Sequence, residues 1–87
     1  MGGTKGQKIR LLYLCDIFKK YTDEENPLSS AELISKLEDY GLTAERKAIY
    51  DDISVLSEYG LDIIKTRVPR SGFYLANRDF EIPEIYL

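Results

Sequence analysis

The chain has 87 residues, of which 44% are hydrophobic, so it is long enough for one small core and too short for two domains. Its 12 basic and 15 acidic residues give a net charge of -3, which excludes a uniformly positive surface and requires any attraction to nucleic acid to be local. The single Cys15 and the lack of histidine exclude an internal disulfide and leave no zinc ligand set, so we expect a cytoplasmic protein without a metal or other cofactor.

The first predicted element is a helix from Lys5 to about Tyr21. Apolar residues recur along it at helical spacing and cover a broad surface, which predicts packing on more than one side. The longest apolar run, residues 11–15, is far shorter than the ~20 residues that cross a bilayer, so we predict no membrane span. The polar residues that follow and Pro27 end the helix, because proline lacks an amide hydrogen and disfavours helix in the preceding residue.

A second helix is predicted to start after Ser29, because Ser29 and Glu32 have the spacing of a capping box and Leu28 can staple onto Leu33. Gly41 is predicted to end this helix in the left-handed conformation. Two positions later, Thr43 is the predicted N-cap of a third helix. Two helices joined by so short a turn indicate a helix-turn-helix unit.

The third helix is predicted from about Ala44 to Tyr59 and ends at Gly60. At ~100° per residue, one face gathers apolar side chains, namely Ile49, Ile53 and Leu56 with Ala48 and Val55 flanking. The other face gathers hydrogen-bond donors, namely Arg46, Lys47, Tyr50, Ser54 and Ser57. Such a face suits phosphate oxygens and base edges in a DNA major groove, whereas the simpler alternative is a solvated polar face.

A hairpin is predicted next, with strand character in residues 61–67, a turn at 68–72 and a second strand at 73–76. A hairpin directly after a helix-turn-helix is a wing. The sequence therefore predicts a mainly α protein with a small β-hairpin (α+β), a winged helix-turn-helix of three helices followed by a two-stranded wing. We expect this domain to occupy residues 1–79.

Charge is distributed unevenly along the chain. Residues 61–78 contain four cations and one acid, a net charge of +3, and residues 1–20 have a net charge of +4. Residues 21–41 between them have a net charge of -5. Because salt confines attraction to a Debye length of ~8 Å, a basic front opposite an acidic back lets a net-negative protein dock on DNA in one orientation.

Four segments occur in order along nearly the whole chain: QKIRLLYL at residues 7–14, TDEENPLSSAEL at 22–33, ERKAIYDDISVL at 45–56 and SGFYLANRDFEIPE at 71–84. Together they resemble the N-terminal winged helix-turn-helix domain of bacterial WYL-domain transcription regulators. The resemblance implies sequence-specific binding of double-stranded DNA, by a homodimer in the full-length regulator. It also implies a larger C-terminal region that senses ligand or nucleic acid, and residues 80–87 are then the start of a linker to that region, which this chain lacks.

The resemblance implies that four side chains enter the DNA groove, Arg46, Lys47, Tyr50 and Ser54. The helical wheel places the same four on the donor-rich face. Arg46 is expected to contact a guanine or a phosphate, because the first turns of a recognition helix usually meet base edges. Lys47 is expected at a phosphate, and Tyr50 at a phosphate or a thymine methyl group.

Further DNA contacts are predicted from outside the third helix. Ser29 and Ser30, with the free amides that begin the second helix, form a predicted phosphate seat. Thr43, beside the start of the third helix, is included among the predicted DNA-binding residues. Arg67 and Arg70 are expected to reach the adjacent backbone or the minor groove from the wing.

Two neighbouring aspartates have different expected roles. Asp51 borders the donor-rich face, where it either accepts from a cytosine amino group or repels the backbone. Asp52 projects towards the apolar face, where an unpaired carboxylate is costly. We therefore expect a structural role for Asp52, as an acceptor for a nearby helix start or as the partner of Arg10.

The sequence leaves two other classes of function beside DNA binding. A winged-helix protein–protein interaction module without DNA binding is the alternative that the negative net charge favours. An enzyme is not expected, because the sequence has no histidine, glycine-rich phosphate loop or evident carboxylate pair.

Overall fold

The computed structural model describes residues 2–76, with side chains from Gly6 onward. In chain order its elements are α1 (Gly2–Tyr21), α2 (Ser30–Asp39), α3 (Arg46–Tyr59), β1 (Ile63–Thr66) and β2 (Gly72–Leu75). This arrangement confirms the predicted fold class, mainly α with a small β-hairpin in the layout of a winged helix-turn-helix. The predicted domain boundary at residue 79 and the linker at 80–87 lie outside the described residues.

The hydrophobic core lies where the three helices meet the hairpin. Its buried members are Leu14, Ile17, Phe18, Leu28, Leu33, Leu37, Ile49, Ile53, Leu56, Leu61, Phe73 and Leu75. The apolar face predicted for α3 is therefore buried at Ile49, Ile53 and Leu56, whereas Val55 beside it is 46% exposed. The donor-rich face on the opposite side is exposed to solvent along the helix.

Both predicted ends of α2 are confirmed. The Ser29 hydroxyl oxygen accepts from the Glu32 amide at 3.1 Å, and the Glu32 carboxylate accepts from the Ser29 amide at 2.8 Å, which completes the capping box. At the other end Gly41 has φ of 82°. The amides of Gly41 and Leu42 donate to the carbonyls of Glu38 and Leu37, as in a Schellman motif.

The predicted start of α3 is wrong by two residues. The N-cap position is Glu45, with φ -93° and ψ 161°, and no side chain caps this helix, so Thr43 is not its N-cap. The chain stays extended after Gly41 because Leu42 and Ala44 both pack against the core. Burial of these two alternating side chains delays the helix beyond the position that the hydroxyl of Thr43 indicated.

Asp52 has the structural role that was predicted for it. It is 5% exposed on the inner side of α3, and its carboxylate accepts two hydrogen bonds from the Arg10 guanidinium of α1. The bond from Nη2 of Arg10 to Oδ1 of Asp52 is 3.1 Å long, and the second joins Nε to Oδ2. This ion pair raises the pKa of Arg10 above its ordinary value, chiefly through the hydrogen bond.

The hairpin is joined to the segment between α1 and α2 by backbone hydrogen bonds. The Leu28 amide donates to the Phe73 carbonyl at 2.9 Å, and the Phe73 amide donates to the Leu28 carbonyl at 2.8 Å. Gly72 allows this approach, because a Cβ built there would lie 2.8 Å from the Leu28 backbone. The Leu75 amide donates to the Thr22 hydroxyl at 3.1 Å, so β2 is also fastened to the end of α1.

The two strands pair antiparallel with Ile63 opposite Leu75 and Lys65 opposite Phe73. Strand β1 begins at Ile63, later than predicted. Leu61 lies just beyond α3 and packs in the core instead. Its amide donates to the Leu56 carbonyl at 3.0 Å, and its side chain is 2% exposed. In the part of the chain that the structure describes, no helix is long and apolar enough to cross a membrane.

Candidate nucleic-acid interface

A groove of about 330 Å³ lies between the first turns of α2 and α3 and the hairpin. We call it the cationic groove. Its lining residues are Ser29, Ser30, Arg46, Tyr50, Lys65, Thr66, Arg67, Ser71, Gly72 and Phe73. Three of these side chains are cations and five carry hydroxyl groups, while none of the described lining residues is acidic. A locally positive surface therefore exists in a chain whose net charge is -3.

Helix α3 contributes Arg46 and Tyr50 to the cationic groove. They are four residues apart, so they project from the same side of the helix, and both are exposed. The ring of Tyr50 meets the ring of Phe73 edge-on, with centroids 6.0 Å apart. This contact joins α3 to β2 beside the groove.

The hairpin contributes Lys65 and Arg67. Lys65 lies directly opposite Phe73 in the strand pairing, so the two side chains share one face of the sheet. Thr66 and Arg67, which follow directly, line the same groove. Together with Arg46, these residues place positive charge on both sides of the groove.

The start of α2 contributes Ser29 and Ser30. Ser29 is half-buried and Ser30 is buried, and the Leu28 bridge to Phe73 holds both beside β2. The amide of Ser29 is already satisfied by the Glu32 carboxylate. One amide of the predicted phosphate seat therefore already donates to an internal carboxylate.

Arg70 lies in the turn of the hairpin and pairs with α2. Its Nη1 is 3.1 Å from Oε2 of Glu32, and both side chains remain partly exposed. The pKa of Glu32 is lowered from its ordinary value, first by the hydrogen bond from the Ser29 amide and further by the charge of Arg70. The tip of the wing thus lies on the same side of the molecule as the start of α2.

Five of the nine predicted DNA-binding residues line the cationic groove: Ser29, Ser30, Arg46, Tyr50 and Arg67. Lys47 and Ser54 are exposed on α3 but are not among the described residues that line it. Thr43 is exposed and lines a separate depression with residues of α1, including Arg10. Asp51 is exposed on α3, as expected for a residue at the border of the donor-rich face.

Three residues that line the groove were not predicted from the sequence to bind DNA, namely Lys65, Thr66 and Ser71. A signal for Lys65 was present, because it precedes the selected Arg67 by two residues in a predicted strand. The position of Ser71 depends on the pairing of Phe73 with Leu28, a contact between residues distant in sequence. No local pattern reports such a contact.

Comparisons with protein-family models, curated proteins and solved structures found no match for the chain. The chemistry of the groove is therefore the basis for inferring function. Cationic and hydroxyl groups on two sides of an open groove can donate hydrogen bonds to an extended anion. Among the described residues, no group of three or more His, Cys, Asp and Glu side chains could hold a metal ion.

Proposed function

We propose that this domain binds double-stranded DNA as the DNA-binding part of a bacterial transcription regulator of the WYL-domain type. The observation that carries the proposal is the gathering of Arg46, Lys65 and Arg67 in one groove without a described acidic lining residue, although the chain as a whole is acidic. A local surface of this kind attracts the phosphate backbone, which dominates affinity for DNA.

Helix α3 and the wing, on the two sides of the groove, contact different parts of the duplex in this proposal. The exposed face of α3 enters the major groove, where Arg46 and Tyr50 reach base edges or phosphates and Lys47 and Ser54 extend the contact along the helix. The wing places Arg67 and Arg70 on the adjacent backbone or in the minor groove. Ser29 and Ser30 contact phosphate from the start of α2.

A single domain is expected to bind weakly. Five or six phosphate contacts from one copy correspond to a dissociation constant on the order of micromolar at low salt. Specific recognition then requires two copies on a palindromic site, as in a homodimer of the full-length regulator. Cytoplasmic location is part of the same proposal.

The proposal is tested by measuring binding to duplex DNA of random sequence across a series of salt concentrations. The logarithm of the binding constant should fall linearly with the logarithm of salt concentration, with a slope that reflects several phosphates. Arg46→Gln should make the slope shallower by about 0.9 if Arg46 contacts phosphate. Lys36→Gln is the matched control, because Lys36 lies over the ring of Tyr21 and outside the cationic groove.

An undetectable interaction with DNA at low salt would overturn the proposal. The alternative function is a winged-helix protein–protein interaction module, and an apolar groove between α1 and α3 favours it. This groove includes Leu12 and Tyr59, which are 72% and 69% exposed, together with Val55 and Cys15. Two results together would support that alternative. The parent chain would bind a protein partner and no DNA, and Leu12→Ser would abolish the binding of that partner.

A further inference from the structure

Glu32 lies in the first turn of α2, at the edge of the cationic groove. Its Oε1 accepts from the Ser29 amide at 2.8 Å, and its Oε2 is 3.1 Å from Nη1 of Arg70. Ser29 lines the groove, and Arg70 neighbours the lining residue Ser71. One carboxylate therefore binds two donors that the proposed function offers to phosphate.

A DNA phosphate and the Glu32 carboxylate are anions that the same guanidinium can bind in the same way. The pair between Arg70 and Glu32 is open to solvent, since the two side chains are 54% and 39% exposed. Exposed ion pairs are weak and exchange readily. When the wing meets a phosphate, Arg70 must give up Glu32 or share its donors between the two anions.

We propose that Glu32 limits the affinity of this domain for DNA: its carboxylate competes with phosphate for Arg70 and weakens the sequence-independent part of binding. This inference rests on the proposed DNA-binding function. Its physical basis is the position of one negative charge beside a groove that otherwise carries positive charge. Glu32 also stabilises α2 through the capping box. Its hydrogen bond therefore affects the stability of the helix, whereas its charge affects the binding of DNA.

Glu32→Gln separates these two consequences. Glutamine can still accept the Ser29 amide through its side-chain oxygen, because a capping box is made by either residue. It cannot form an ion pair with Arg70. The variant therefore keeps the start of α2 and removes the competing charge.

The experiment compares the parent chain with Glu32→Gln and Glu38→Gln in binding to random-sequence duplex DNA across a salt series. Glu38 is exposed near the other end of α2, and its replacement changes the net charge by the same amount. We expect Glu32→Gln to bind about two- to fivefold more tightly than Glu38→Gln at low salt, the range for one exposed charge pair. Its salt slope should be steeper by up to about 0.9, since Arg70 becomes fully available to phosphate.

Repeating the comparison with Arg70→Gln tests whether Glu32 acts through the wing. In that background the gain from Glu32→Gln should shrink, because no guanidinium remains to be released. If the parent chain binds DNA and Glu32→Gln behaves as Glu38→Gln does, the competition is refuted while DNA binding stands. If neither the parent chain nor any variant binds DNA at any salt concentration, both proposals fail.

Discussion

Arg10 and Asp52, 42 residues apart in sequence, form a bidentate ion pair that joins α1 to the inner side of α3. Their side chains are 13% and 7% exposed, so neither charge is well hydrated. The opposite side of α3 carries Arg46 and Tyr50. The pair therefore positions the helix whose outer face lines the cationic groove.

Asp52→Ala should destabilise the fold strongly. Removing one partner of a buried ion pair leaves the other charge uncompensated, which costs about 3 kcal/mol. Urea unfolding should show this loss for Asp52→Ala. The double replacement Arg10→Met with Asp52→Leu should recover most of it, because no charge is then left buried. A loss below about 1 kcal/mol for Asp52→Ala, the range of an exposed ion pair, would show that the pair contributes little.

Gly72→Ala should destabilise the protein and displace the wing. A Cβ at this position would lie 2.8 Å from the backbone carbon and oxygen of Leu28, so the bridge between Leu28 and Phe73 must open. We expect a loss of about 2 kcal/mol in the free energy of unfolding, as for overpacking elsewhere. Gly6→Ala is the matched control, since nothing lies within 4 Å of its Cβ and alanine favours helix. Equal effects of the two substitutions would contradict this account of Gly72.

Several features predicted correctly depend on residues close in sequence. The capping box of Ser29 and Glu32 and the left-handed Gly41 are local, and the structure contains both. The inward position of Asp52 followed from helical periodicity. The prediction that Thr43 is the N-cap of α3 is wrong, because the packing of Leu42 and Ala44 against the core outweighs the capping preference of threonine.

The shape of the candidate site was not predictable in the same way. Two contacts lie beside the cationic groove, the backbone pairing of Leu28 with Phe73 and the packing of Tyr50 against the ring of Phe73. Both contacts join residues far apart in sequence. Residue types could indicate which side chains suit DNA, but only the fold shows that Arg46 and Lys65 face one groove.

Lys65→Gln should weaken DNA binding as much as Arg46→Gln does, although only Arg46 was predicted from the sequence to contact DNA. Lys65 is exposed in β1 and lines the cationic groove. If it contacts a phosphate, its replacement should make the salt slope shallower by about 0.9. Lys36→Gln should leave the slope near that of the parent chain. Identical slopes for the two variants would remove Lys65 from the interface.

Glu32 should make the stability of the fold depend on pH in the acid range. Its pKa is lowered from its ordinary value in the folded state, chiefly by the hydrogen bond from the Ser29 amide. A lowered folded pKa stabilises the protein above the unfolded pKa, and this stabilisation is lost as pH falls through the folded pKa. The parent chain should therefore lose more of its free energy of unfolding than Glu32→Gln between pH 7 and about pH 3. Parallel pH profiles for the two proteins would contradict this role.

The proposed function requires one continuous surface, formed by α2, α3 and the wing, to meet the duplex. Following the backbone amide chemical shifts of the protein during titration with duplex DNA shows which residues make that contact. We predict that the largest changes fall at Ser29, Arg46, Tyr50, Lys65 and Arg67. Changes confined to Leu12, Val55 and Tyr59, or no change at low salt, would contradict the claim.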